Sequence, residues 1–180
     1  PRRQELLRQL GIAFDVVVTD VPETPAPDET ARAYVQRLAR TKAEAGARLA
    51  RERGLPVRPV LGADTEVVID GEILGKPTDA THGCAMLKRL AGRTHDVLTA
   101  VALVANGSVR TALSETRVTM ARMTDAEIDA YWSSGEPADK AGGYAIQGRA
   151  AAFVERIEGS YSGVVGLPLY EVVQLLRAVQ

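Results

Sequence analysis

Apolar positions along the chain recur with two periods. Leu6, Leu7 and Leu10 fall on one helical face, which predicts a helix over 4–10 with Gly11 as its C′ residue. The β-branched run at 13–18 predicts a short buried strand. Pro22, Pro25 and Pro27 exclude helix and central strand, so this stretch is a loop. Asp28 is expected to cap a long amphipathic helix over 29–53, ended by Gly54. Residues 60–69 predict a strand interrupted at Gly62-Ala63-Asp64-Thr65. Asp70-Gly71 signals a hairpin into a return strand from Glu72. A helix is expected over 79–91, with Gly92 after it. Strands over 95–104 and 109–120 join through Asn106-Gly107. Thr124 and Glu127 have capping-box spacing for a helix to about Ser133. A loop over 135–148, a strand over 152–157, a turn over 160–166 and a last helix from Pro168 to about Val179 complete the chain.

Four or five helices thus interleave with six or seven strands. Hairpins and helical crossovers both occur, so a mixed sheet with flanking helices is expected. There is no repeat, low-complexity tract or linker, and residues 1–180 read as one α/β domain.

Composition narrows the class of partner. The formal net charge is −1, so bulk charge does not equip the protein to grip a nucleic acid or an acidic membrane. An anionic ligand would need a local cation cluster. The one cysteine, Cys84, rules out an intrachain disulfide, and its helical setting beside Met86 and Leu87 reads as packing. No apolar run approaches the ~20 residues of a membrane span, and no signal peptide is visible, so a cytoplasmic protein is expected.

Candidate chemistry lies where charge interrupts the pattern. Asp64 sits within an otherwise apolar strand, where an unpaired carboxylate is costly and requires a cation, a metal or a strand-end site. Lys76 is held between Gly75 and Pro77. Lys140 precedes Ala141-Gly142-Gly143, a backbone open to close approach. Arg2 and Arg3 begin a helix, whose N-terminus favours anions. These cations, with carboxylates Glu23 and Asp64, suit a triphosphate with Mg²⁺, which takes one or two carboxylates plus waters and phosphate oxygens. Taken singly, a loop lysine is a solvated charge and Asp64 a structural hydrogen-bonder. No P-loop, dinucleotide fingerprint, serine nucleophile elbow or zinc spacing at His82 and His95 is present.

Several segments in order along the chain resemble the Maf family, also called septum-formation inhibitor proteins. They are Pro1-Arg2-Arg3-Gln4-Glu5-Leu6-Leu7, Arg37 to Ala43, Gly62-Ala63-Asp64-Thr65, Gly75-Lys76-Pro77 and Leu90 to His95. Gly135-Glu136-Pro137, Asp139 to Tyr144, Ile146-Gln147-Gly148, Gly159-Ser160-Tyr161 and Val165 to Pro168 complete the set. The resemblance implies a fold of two lobes around a central cleft, similar to that of inosine triphosphatases. It implies a divalent-metal enzyme (Mg²⁺, with Mn²⁺ or Co²⁺ as substitutes) that cuts nucleoside triphosphates between the α and β phosphates. By the same resemblance Asp64 is the catalytic base and a metal ligand with Glu23. Arg3, Lys42, Lys76 and Lys140 line the phosphate site, and Arg2, Thr65 and Gln147 select the base. A homodimer, no stable nucleic-acid partner and no membrane partner are further implications.

The segment Tyr144 to Gly148 resembles the branch that acts on dTTP and UTP. The chemistry agrees: the Gln147 amide both donates and accepts, matching the carbonyl and N3–H edge of uracil or thymine. A carboxylate there would suit the donors of guanine and be repelled by pyrimidine carbonyls. The family pattern begins with Ser-x-Ser before Pro-Arg-Arg, so a preceding segment is expected ahead of Pro1. Two other readings compete: a pyrophosphatase for purine or modified nucleotides, and a non-catalytic nucleotide- or nucleic-acid-binding regulator of cell division.

Overall fold

In the computed structural model, which describes residues 1–179, both two-residue hairpins form. Asp70 (φ 55°) and Gly71 (φ 80°) turn β1 (Val60–Ile69) into β2 (Glu72–Leu74). Asn106 (φ 50°) and Gly107 (φ 74°) turn β3 (Thr94–Ala105) into β4 (Ser108–Met120). Paired positive φ values give the primed turns whose twist matches that of the strands they join. With β5 (Val154–Glu158) these strands form one sheet in the order β2-β1-β3-β4-β5.

The α/β architecture with flanking helices is the expected one, but every described ladder is antiparallel rather than mixed. The crossover helix α3 (Ala80–Leu90) does join two strands of like direction, β2 and β3. They lie on opposite sides of β1 and never pair.

Three expectations fail locally. Residues 13–18 are irregular rather than a buried strand, with Val16 54% and Val18 78% exposed. β-branched residues favour extended backbone, but a strand also needs a ladder for its N–H and C=O groups. No described strand pairs with this run. Asp28 does not cap α2 (Ala31–Glu52); it takes φ 58° in the preceding turn. Thr30 is the cap, and its side chain accepts from the Ala33 N–H. At Gly62 to Thr65 the strand continues without the expected interruption.

The sheet divides the core. Odd-numbered residues of β1, Ala63, Val67 and Ile69, pack into the larger cluster with Leu6 of α1 (Arg2–Gln9), Leu87 and Leu90 of α3, and Ile128 of α4 (Asp125–Ser133). Leu167, which precedes α6 (Leu169–Arg177), and Val172 within it belong to the same cluster. On the other face Val68, Leu98, Ala100 and Ala102 pack against Val35, Ala39 and Ala43 of α2. Cys84 is half-buried against the larger cluster, and burial pushes its thiol pKa up. No helix among the described residues is long and apolar enough to cross a membrane.

Candidate active site

Gly62 sets the geometry. A Cβ there would lie 2.5 Å from Ala39 O and Ala43 N, so only glycine lets α2 settle this closely on β1. The approach carries Lys42, one residue before Ala43, onto the side chain two residues beyond Gly62. Lys42 Nζ donates to Asp64 Oδ1 at 2.7 Å and pairs with Glu23 Oε1 at 2.5 Å. The Pro-rich loop is thereby tied to the strand through one ammonium. Asp64 is 5% exposed, so leaving its carboxylate without this partner would be costly.

Thr65 points to the opposite sheet face. Its Oγ1 accepts from Arg3 Nη2 at 3.3 Å and lies 3.0 Å from Thr99 Oγ1. Arg3 Nε donates to Gly166 O at 2.8 Å. The hydroxyl of Thr65 is therefore engaged in orienting Arg3, which leaves the remaining guanidinium donors available. Gly166 follows α5 (Tyr161–Val165), capped by Ser160, where the sequence indicated only a turn.

Lys76 and Lys140 come from segments that are stitched together. The Gly142 N–H donates to Gly75 O at 3.0 Å, and a Cβ on Gly142 (φ 68°) would press on Val67. Lys140 is paired with Asp139. Gln147 is exposed, and its amide makes no hydrogen bond among the described residues.

All nine residues singled out from sequence, Arg2, Arg3, Glu23, Lys42, Asp64, Thr65, Lys76, Lys140 and Gln147, line one cleft of about 740 Å³. That is the size of an ordinary small-molecule site. A second hollow of about 820 Å³ lies beside the start of α2, lined by Glu29, Glu72, Asp96 and Glu115 with Arg32 as its one cation. Its charge would repel a phosphate ester, so chemistry favours the first cleft despite its slightly smaller size.

The cleft also contains residues the sequence reading did not single out. Glu66 lies two residues beyond Asp64, hence on the same strand face, and has no described ion pair. Burial, then the carboxylates of Asp64 and Glu23, push its pKa up to about 8. The period of two along β1 was the signal that could have found it. Tyr34 and Glu136 line the cleft through tertiary contacts alone. The hydrogen bond from Lys42 holds Glu23 below the usual carboxylate range, and Lys140 does the same for Asp139. Burial pulls the Arg3 guanidinium below its ordinary value, against the attraction of Asp64.

Two of the five cations are thus already neutralised, Lys42 and Lys140. Arg2 and Lys76 have no salt-bridge partner among the described residues. A divalent cation fits this donor set. Asp64 Oδ2 is buried without a hydrogen-bond partner, an oxygen that a cation would satisfy. No group of three or more potential ligands is clustered among the described residues, so phosphate oxygens and water would have to supply most of the coordination.

Comparison with known proteins finds relatives over nearly the whole chain. Residues 1–179 match the family described as Maf-like protein. A protein named dTTP/UTP pyrophosphatase from Aromatoleum aromaticum is 51% identical over 187 residues, covering 99% of this chain and 91% of the relative. Proteins of the same name from Nitrosomonas europaea and Cupriavidus pinatubonensis are 52% and 54% identical. Each matches 98% of this chain, with 89% and 92% of the relative covered.

Proposed function

The chain belongs to the Maf family, and from that premise we propose that it hydrolyses dTTP and UTP to the nucleoside monophosphate and pyrophosphate. The observation that carries this reading is the convergence of Arg2, Arg3, Lys76 and Lys140 on a cleft that the buried carboxylate of Asp64 also lines.

Asp64 is the general base. Lys42 occupies Oδ1 and leaves Oδ2 to orient a water and accept its proton. The water oxygen forms a bond to the α-phosphorus as the bridge to the β-phosphate breaks, and pyrophosphate leaves. Arg3, Lys76 and Lys140 neutralise charge that builds on the phosphates, Lys140 by exchanging Asp139 for a phosphate oxygen. A divalent cation, Mg²⁺ or in its place Mn²⁺ or Co²⁺, would be held by Glu23 and, through water, by Asp64, and would supply Lewis-acid polarisation of the phosphate oxygens. Lys42 fixes both of those carboxylates relative to each other. Gln147 offers one donor and one acceptor to the pyrimidine edge, with Arg2 and Thr65 nearby in the same cleft. The same reading makes the protein a cytoplasmic homodimer acting on free nucleotides.

A panel of nucleoside triphosphates with pyrophosphate detection tests the proposal. UTP and dTTP should be turned over fastest, and Asp64→Asn should abolish turnover while leaving the fold intact. Preferred hydrolysis of a purine triphosphate would reject the substrate, and turnover of Asp64→Asn within a few-fold of wild type would reject the base. Binding of UTP without turnover in Mg²⁺ or Mn²⁺ would favour a regulator.

A further inference from the structure

The segment that presents Gln147 is a turn between two short 3-10 helices, Ala141–Gly143 and Arg149–Phe153, and its backbone is fastened on both sides. Upstream, the Ala145 N–H donates to the Tyr131 hydroxyl at 3.1 Å. Downstream, the Arg149 N–H donates to Glu136 Oε2 at 3.0 Å and the Ala150 N–H to Glu136 Oε1 at 3.4 Å. The two anchors are joined, because the Tyr131 hydroxyl donates to Glu136 Oε1 at 2.7 Å. A Cβ on Gly148 would lie 2.2 Å from Glu136 Oε2, so the backbone closes directly onto the carboxylate.

We propose that Glu136 and Tyr131 form a clamp that positions Gln147 for base selection, acting through the backbone of 145–150. This inference rests on the pyrimidine-triphosphate reading of the cleft.

Several features support the assignment. Tyr131 is carried on α4, fixed by its capping box, and its ring packs edge-on to Phe153 at 6.3 Å. The hydroxyl is thus held by a rigid body. Burial alone would push the Glu136 carboxyl up, but the Arg149 N–H, the Tyr131 hydroxyl and the Ala150 N–H together bring it below its ordinary range. The carboxylate is therefore ionised and acceptor-only, the form needed to take three donors at once. Gln147 itself has no such restraint. Its amide is free to meet a ligand only if the backbone beneath it is fixed, since side-chain ordering would otherwise be charged against binding.

Glu136→Gln and Tyr131→Phe both preserve shape. In Glu136→Gln an NH₂ replaces one acceptor and faces a backbone N–H. In Tyr131→Phe the Ala145 N–H loses its acceptor while the ring stays packed. Amide hydrogen exchange should accelerate about tenfold or more at the affected positions, the worth of roughly one charge-assisted hydrogen bond. These are Arg149 and Ala150 in Glu136→Gln and Ala145 in Tyr131→Phe, with α2 and β3 unchanged in both. The UTP-over-GTP ratio of kcat/KM should fall by a similar factor in each variant. Affinity for inorganic tripolyphosphate, which reports the cation set alone, should not fall. The double variant should be no worse than the poorer single, because one unit is broken.

Unchanged exchange at 145–150 overturns the clamp, whatever the activity proves to be. Faster exchange with an unchanged UTP-over-GTP ratio overturns the link to Gln147. If the wild-type protein turns over neither nucleotide, the substrate reading fails, and exchange together with the affinity for a non-hydrolysable UTP analogue decides the clamp.

Discussion

Lys42 is the strongest place to perturb the site, because its ammonium is the ion-pair partner of a carboxylate buried inside the protein. It lies 2.7 Å from Asp64, whose side chain is 7% exposed, and is itself 17% exposed. At that separation the gross attraction is roughly 6 kcal/mol for an effective dielectric constant near 20. Most of it is offset by desolvation, and truncating one partner of such a pair costs about 3–5 kcal/mol. Partial exposure of Lys42 places the expected loss for Lys42→Met near the low end, about 3 kcal/mol. Glu23, 48% exposed, can turn to water and adds little. In urea, with a slope of about 2 kcal/mol/M, the midpoint should fall by roughly 1.5 M at pH 7. Asp64→Asn alone should cost less, since Lys42 keeps Glu23. Adding Asp64→Asn to Lys42→Met should restore at least about half of the loss, because position 64 then no longer carries an unpaired carboxylate. A midpoint for Lys42→Met within ~0.3 M of wild type, or a double variant no more stable than Lys42→Met, would refute the reasoning.

Gln147→Glu should reduce UTP and dTTP hydrolysis by roughly two orders of magnitude through carboxylate–carbonyl repulsion. Stability should stay within about 0.5 kcal/mol because the side chain is exposed. An unchanged substrate profile contradicts the selectivity claim. His95 gives a pH signature. It is buried with Nε2 2.8 Å from the Tyr144 hydroxyl and Nδ1 without a partner, and burial pushes its pKa down to about 4. The unfolded chain takes up the proton near the ordinary 6.5 and the folded protein only near 4. Stability is therefore lost as pH falls through that window, by about 3 kcal/mol in all. Urea midpoints of wild type and His95→Gln at pH 7 and pH 4 check this, and parallel pH dependences would exclude it.

Strands with a period of two or a primed-turn signal were legible in the sequence, as were helices with paired caps. Both two-residue hairpins, the extent of β1 and the Thr124–Glu127 capping box follow from local chemistry. The run at 13–18 was misread because a strand is a property of two chains, and the sequence does not state which ladder has room. The antiparallel pairing escaped for the same reason, since strand order is set by packing across β1. In the site, Asp64 announced itself as a charge in an apolar strand, Lys76 and Lys140 as loop residues near glycines, and Arg2 and Arg3 as the start of a helix; Lys42, within α2, was reached only through the family resemblance. That Lys42 and Lys140 are already paired, or that Tyr131 and Glu136 hold 145–150, depends on distances between remote segments. Glu66 was within reach by strand alternation from Asp64, but a single partly buried glutamate carries no signal of its own.

The central claim is that water held by Asp64 attacks the α-phosphorus, and hydrolysis of UTP in ¹⁸O-labelled water measures that directly. Mass spectrometry of the products should find the heavy oxygen in the uridine monophosphate and none in the pyrophosphate. Label in pyrophosphate, or release of labelled orthophosphate, would place the attack at another phosphorus and contradict the account.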